Sequence, residues 1–280
     1  MRKYGSTNRV SALLRAGYGM AQISQLRVEL HCHTVYSYDG HIEFDGLLRT
    51  AKGRLDAICI TDHDTIEGAR EFQKRSKARN VDLMIVVGEE RTLADGSHVI
   101  GLFLEEALAS DTFDDVVREI REQGGLCVIP HPFRRRDGAL RAGARSLEGV
   151  SGFEIFNPKC SLEENQKAHT LCGSGPVAVG GSDAHYECDL GECVNFIAYA
   201  GDVRESLERL LQGRGQYRVL GVQQKNGGHG RQYAPFYYRV KPYMRIPRPL
   251  VPAAQRLYRA YRNTKSHWRA PELEIKYVNE

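Results

Sequence analysis

No stretch of this 280-residue chain reaches the roughly 18 consecutive apolar residues of a membrane-spanning helix. The start is basic but has no apolar core ahead of a cleavage site, which speaks against a secretory leader. It also lacks acids, and its Arg and Ser content faintly resembles an organelle transit peptide. No cysteine pair has zinc-knuckle spacing; Cys188 and Cys193 come nearest. The seven cysteines are odd in number and scattered through apolar segments. That usage is expected of a reducing compartment, so a cytoplasmic location is expected. There is no glycine-rich dinucleotide fingerprint, no internal repeat and no low-complexity tract.

Charge is present, but unevenly. Residues 1–28 carry five Lys/Arg and no acid, and residues 222–280 carry twelve Lys/Arg against three acids. With a total of +4, the body between them is left at −10. An acidic body suits cation binding; basic ends suit phosphate, nucleic acid or an anionic membrane.

Residues 1–26 read as a polar lead-in with one short helical run, Ser11–Ala16. From residue 27 to 221 strand-like and helix-like segments alternate. The expected strands are Arg27–His33, Asp56–Thr61, Asp82–Val87, His98–Phe103, Gly125–Ile129, Gly152–Phe156 and Val177–Gly180. The expected helices are Phe44–Arg54, Glu67–Arg79, Thr112–Gln123, Ser161–Cys172 and Val203–Gln212. Thr112 with Asp114 and Asp115 gives the third helix a capping hydroxyl and early acids, and Val116, Val117 and Ile120 fall on one face. Short strands rich in Val, Ile and Leu, mostly followed by helices, argue for an α/β protein with a parallel sheet covered by helices. About seven strands without a dinucleotide fingerprint favour a barrel.

Residues 222–280 change character. Gly227–Gly230 reads as a linker, and Arg, Tyr and Pro follow in quantity. A basic helix is expected from about Ala253 to Thr264, with Leu257, Tyr258 and Tyr261 along one face. The expected organisation is thus a lead-in (1–26), a catalytic domain (27–221) and a basic C-terminal extension (222–280).

Six of the ten histidines fall at or near expected strand ends: His31, His33, His63, His98, His131 and His185. Acids accompany them: Asp39, Asp62, Asp64, Glu89, Glu90 and Asp183. In a barrel the carboxyl ends of the strands share one face, where distant side chains converge. Imidazoles and carboxylates gathered there make a ready metal site, and the acids would repel one another without cations between them. A single strand-end histidine is ordinary; six with matching acids are not. The remaining histidines have plain readings: His41 follows a turn and is expected to be exposed, His169 lies on a helix, and His229 and His267 belong to the basic extension.

The motifs "HCHT…D", "TDHD", "GEE…H", "HPF" and "SDAH", in this order, resemble the PHP (polymerase and histidinol phosphatase) family over roughly residues 27–212. The resemblance implies a distorted seven-stranded (β/α)7 TIM-like barrel with up to three divalent metals. One metal would take His31, His33, Glu90 and Asp183. A second would share Glu90 and add His98 and His131. The third would take Asp39, His63 and His185. Asp39 stands where some members place histidine, and manganese, zinc and iron all remain open. Glu90, not Glu89, fits the family's Gly-x-Glu pattern; strand alternation points Glu89 the other way.

The resemblance also implies phosphoester hydrolysis by a metal-bridging hydroxide, on a small phosphorylated molecule, a nucleotide or short RNA. Arg134, Arg135 and Arg136 directly follow "HPF", and at least one could clamp a phosphate. Asp64 could be a hydrogen-bond partner or general acid at the site, or simply cap the next helix. Asn157 could touch the site or shape a turn. Cys32 is separated from His31 and His33 by strand alternation and is expected to be neither ligand nor nucleophile. A different class of function is a binding protein dominated by the basic tail, contacting nucleic acid or a membrane surface. Metal-dependent amide hydrolysis fits the ligands but not the ordered motifs.

Overall fold

Along Gln25–Cys32 (β1), Leu26, Val28 and Leu30 alternate with Arg27, Glu29 and His31. The apolar set joins the main core cluster, while Glu29 and His31 are fully buried polar residues on the opposite face. This is a computed structural model, and it describes residues 25–141, 145–173, 175–214, 217–222 and, as backbone, 272–277. The lead-in helix Ser11–Ala16 and the basic helix expected at Ala253–Thr264 lie outside the described residues.

The other elements, in order, are α1 (Phe44–Ala51), β2 (Ala57–Ile60), α2 (Glu67–Ala78), β3 (Met84–Thr92), β4 (His98–Leu102), α3 (Phe113–Glu122), β5 (Leu126–Ile129), β6 (Gly152–Phe156), α4 (Leu162–His169), β7 (Val177–Gly180), β8 (Cys193–Ala198), α5 (Val203–Leu211), β9 (Tyr217–Val222) and β10 (Glu272–Tyr277). Three of the five described helices start where a side chain caps them. Thr112 accepts from Asp115 N–H, Ser161 and Glu164 form a reciprocal capping box, and Asp202 accepts from Glu205 N–H. Two apolar layers result. Ile58 and Ile60 of β2 pack with Phe44, Leu47, Ala69 and Phe72 of α1 and α2. Ala57 and Cys59, on the strand's other side, join the larger cluster. Phe44 and Phe72 meet edge to face at 5.3 Å, both nearly solvent-free. Truncating either would cost about 3–5 kcal/mol.

The strands form one sheet in the order β10-β9-β8-β1-β2-β3-β4-β5-β6-β7. It curls nearly closed. Beyond β7, Ala184 pairs with Cys32 at the end of β1, through His33 N–H to Ala184 O (2.8 Å) and Ala184 N–H to His31 O (3.2 Å). This is a mixed α/β barrel-like fold. Every strand and helix expected between residues 27 and 221 is found, but two expectations need correcting. The sheet is not all parallel, because β4 runs antiparallel to both β3 and β5. The count also exceeds seven, because β8 and β9 add antiparallel strands on the far side of β1. A two-residue turn or short loop cannot be told from a crossover by strand composition alone, so direction was invisible in the sequence.

The reversal of β4 places His98. This residue opens its strand, so in an all-parallel barrel it would lie at the amino-end face. Running backwards, it pairs with Thr92 near the end of β3. It thereby reaches the same face as the residues that follow β2, β5 and β7.

Candidate metal centre

Short extensions of the ladder set the centre's geometry. Past the formal end of β2, His63 bridges to Glu90, with Asp64 N–H donating to Glu90 O (3.1 Å) and Glu90 N–H to Asp62 O (3.2 Å). The closure at Ala184 sets Asp183 and His185 beside His31 and His33. Asp62, fully buried, accepts from Thr34 N–H (2.5 Å) and Thr34 Oγ1 (2.7 Å), fixing the chain where it leaves β1. His131 and Asp183 have φ of +30° and +51°. Non-glycine residues held in that region cost of order 1–3 kcal/mol and mark functional sites.

Glu90 is the hub. Its Oε2 lies 3.2 Å from His31 Nε2, 3.1 Å from His33 Nε2 and 3.5 Å from His63 Nδ1. Its Oε1 lies 2.9 Å from His98 Nδ1 and 3.0 Å from His131 Nε2. Asp183 Oδ1 stands 3.8 Å from His31 Nε2 and 3.4 Å from His33 Nε2. Asp39 Oδ2 lies 2.9 Å from His185 Nε2 and 3.7 Å from His63 Nε2. The structure therefore brings all nine expected ligands to one face. His33 also shares the Asp39, His63 and His185 group, all within reach of one ion.

The donors fit divalent metal ions. His31 Nε2 and His33 Nε2 face each other at 3.0 Å, an arrangement that two lone pairs adopt around a common cation. Ligand bonds of about 2.0–2.2 Å would set ligand atoms of one ion about 3.3–3.6 Å apart, near the spacings found here. His33 Nδ1, His63 Nδ1 and His131 Nδ1 are buried without hydrogen-bond partners, and buried polar atoms so placed call for an explanation such as an ion.

Electrostatics point the same way. Burial would raise the Glu90 carboxyl, but His31, His98 and His63 outweigh it and hold it well below the usual range. Burial would discharge His31 too, yet Glu90, Glu154 and Asp183 hold its proton affinity well above normal. His33 is likewise carried against burial, by Asp183 and Glu90, to about 9. His63 goes the other way, lowered to about 4 chiefly by burial. The pocket draws positive charge most strongly beside Glu90 and Asp183.

Several supporting residues escaped the sequence reading. Glu154, in mid-β6, receives His31 Nδ1 at Oε1 (2.8 Å), and its Oε2 accepts from His131 N–H (2.9 Å) and Asn157 Nδ2 (3.0 Å). Asp137 lies 3.6 Å from His131 Nδ1 and groups with His98 and His131. Lys159 Nζ sits 2.6 Å from His185 Nδ1. The only signal for Glu154 was an acid inside an otherwise apolar strand. Asn157 both shapes the following turn, accepting from Lys159 N–H (2.9 Å), and steadies Glu154.

The three arginines separate. Arg134 is directed into the centre: Nε bonds Asp137, Nη1 donates to Asp183 Oδ2 (2.6 Å), and Nη2 lies 2.9 Å from His131 Nε2. Arg135 is exposed, and its backbone N–H donates to Glu164 Oε1 (2.8 Å). Arg136 is 78% exposed and donates to Asp137 Oδ2. Asp64 accepts from Thr92 N–H (2.8 Å) and Arg91 (3.3 Å), so it braces β3. It does not cap α2, whose N-cap is Ile66 with no side-chain bond. His41 is buried, contrary to expectation, and stacks on Tyr186 at 4.7 Å. Glu89 points away from Glu90, accepting from Leu108 N–H (3.0 Å), and burial pushes its carboxyl up to about 7. Cys32 lies in the apolar layer under α1, and none of the seven cysteines forms a disulfide.

Known proteins resemble this chain in sequence and fold. A family model described as the PHP domain matches residues 29–142. An uncharacterized protein of Methanocaldococcus jannaschii is 33% identical over 144 residues, covering 47% of this chain and 82% of that protein. Among solved structures, a two-domain Bacteroides vulgatus protein containing a predicted PHP-like metal-dependent phosphoesterase superposes with a TM-score of 0.54 at 20% identity, over 69% of this chain and 64% of that one. The lesion-specific endonuclease Q of Pyrococcus furiosus gives 0.54 at 15% identity, over 70% and 57%. This chain thus spans less than two thirds of either solved protein, and at these identities they share its fold. The family match covers the stretch that supplies His31 through His131, and the curled sheet brings Asp183 and His185 to it. The chain belongs to the PHP family.

Proposed function

We propose that this protein is a metal-dependent phosphoesterase whose ions are held by the nine residues gathered around Glu90. The observation that carries this reading is the division of Glu90: one carboxylate oxygen faces His31 and His33, the other His98 and His131. A carboxylate so placed suits two neighbouring ions. On this reading His31, His33, Glu90 and Asp183 hold one, and Glu90, His98 and His131 a second. Asp39, His63 and His185, with His33 in range, hold the third.

Divalent ions in such a centre polarise a phosphoryl group and acidify water. The chain's own residues do the rest. Glu154 orients His31 through its outer ring nitrogen, and Asp137 places negative charge 3.6 Å from that of His131. Arg134 fixes Asp183 and Asp137 while keeping positive charge at the mouth. A lesion-specific endonuclease shares the fold, so nucleotide or nucleic-acid ends join small phosphomonoesters as candidate substrates.

The test is elemental analysis of purified protein beside a screen of phosphomonoesters, nucleotides and short RNA. His31→Ala or Asp183→Ala should lose metal and activity while the fold survives. Full activity in metal-depleted His31→Ala protein overturns the mechanism.

A further inference from the structure

Two cations reach the centre from different loops, and their hydrogen bonding differs. Arg134 divides its guanidinium between two carboxylates, Asp137 and Asp183. Lys159 has no carboxylate within hydrogen-bond distance among the described residues: Asp183 Oδ1 is 3.9 Å away and Asp189 Oδ2 4.0 Å. Its one close neighbour is His185 Nδ1, at 2.6 Å.

That neighbour cannot serve as an acceptor if His185 binds an ion. The Nε2 of His185 faces Asp39 and the third ligand group. Ligation there requires a lone pair on Nε2, which places the ring proton on Nδ1. Nδ1–H then donates to the Asp183 backbone oxygen, 2.8 Å away. An ammonium carries three donors and no acceptor, so Lys159 would be left with N–H groups aimed at the centre.

The loop beneath it is tightly built. Lys159 N–H bonds Asn157 Oδ1 (2.9 Å), Asn157 N–H bonds Asn165 Oδ1 (3.1 Å), and Asn165 Nδ2 returns to Asn157 O (3.0 Å). The capping box of α4 begins two residues later. The ammonium is therefore held, not trailing in solvent; its side chain is 22% exposed.

We propose that Lys159 is a phosphate-binding catalytic residue: its ammonium donates to a non-bridging phosphoryl oxygen of the substrate, opposite Arg134 across Asp183. This rests on the phosphoester reading above. Sequence motifs conceal the residue, because Lys159 lies between "HPF" and "SDAH" and belongs to neither.

The test compares Lys159→Met and Lys159→Arg with the wild type, each metal-loaded and checked by circular dichroism and elemental analysis. Inorganic phosphate is the probe, titrated calorimetrically and used as an inhibitor. Lys159→Met should keep its metal content, bind phosphate at least tenfold more weakly and raise KM; Lys159→Arg should recover part of both. Wild-type phosphate affinity in Lys159→Met overturns the proposal, as does a loss that occurs only with loss of metal. A wild-type protein that neither binds phosphate nor hydrolyses any phosphoester overturns the phosphoesterase reading itself, and this proposal with it.

Discussion

His31 and Glu154, 123 residues apart in sequence, meet with Nδ1 and Oε1 2.8 Å apart at a fully buried contact. When the ring is neutral, the bond puts the His31 proton on Nδ1 and leaves Nε2 free to ligate an ion beside Glu90 and Asp183. A carboxylate behind a ligating imidazole fixes its tautomer and raises its basicity, and losing it typically costs 10–100-fold in metal affinity. Glu154→Gln keeps the shape and removes the charge, so a competitive chelator titration should show a loss in that range. Glu154→Ala should do more harm. It also leaves His131 N–H and Asn157 Nδ2 without their acceptor, at about 1–3 kcal/mol each. Unchanged metal affinity in Glu154→Gln would mean that Glu154 serves packing alone.

Metal loading should release protons. In ion-free protein His33, held up to about 9, carries its proton at pH 7.5, and Glu90, Glu154 and Asp183 raise the proton affinity of His31 against burial. A ligating imidazole must be neutral. Each ion entering beside Glu90 therefore displaces protons, and apparent affinity should rise with pH, levelling off above about 9. Calorimetric titration in two buffers of different ionisation enthalpy measures the release directly. Affinity that is flat between pH 6.5 and 9 would contradict this assignment of the ligands.

The nine clustered residues were legible as a group because each lies in a short motif in or beside a strand, and strand ends of a barrel converge whatever the loops between them do. What was not legible depends on closure of the sheet. Glu154 reads as a stray acid in an apolar strand until β6 is set beside β1's end. Asp137 and Lys159 sit in loops whose direction only the tertiary fold decides. Asp64, which could have capped α2, has a left-handed backbone, φ +55°, and its carboxylate meets Thr92 N–H instead. The reversal of β4 leaves no trace in composition.

Glu89 gives the fold a pH-dependent weak point. It is fully buried, its Oε1 has no hydrogen-bond partner, and burial lifts its carboxyl from an ordinary 4.5 to about 7. The folded state thus holds this proton more tightly than the unfolded chain does. Below about 4.5 both states are protonated and there is no penalty; between 4.5 and 7 stability falls as pH rises; above 7 the full cost of the buried charge is present. A shift of this size corresponds to roughly 3–3.5 kcal/mol. Glu89→Gln removes the ionisation, so its Tm relative to wild type should improve by several degrees between pH 5 and pH 8 at equal metal content. A constant difference across that range would show that Glu89 stays in one protonation state.

Tyr38 should decide between base-bearing and base-free substrates. Its ring stacks on His63, with centroids 5.0 Å apart and planes at 21°, yet the residue is 78% exposed. Val35, Tyr36 and Tyr38, in the one loop after β1, are three of the four exposed large apolar residues among those described. An open aromatic face beside a phosphate-binding centre can receive a nucleobase, and such stacking is worth roughly 1–3 kcal/mol per base. If the substrate is a nucleotide, Tyr38→Ala should raise KM about tenfold or more for nucleoside monophosphates. It should leave glycerol phosphate within about twofold, and Tyr38→Phe should behave as wild type on both. The controls separate stacking from support of His63: equal losses on both substrates, together with reduced metal content, would show that Tyr38 only holds the imidazole in place. Equal kinetics on both substrates in Tyr38→Ala would remove the base from the recognised part of the substrate and point to a small phosphomonoester.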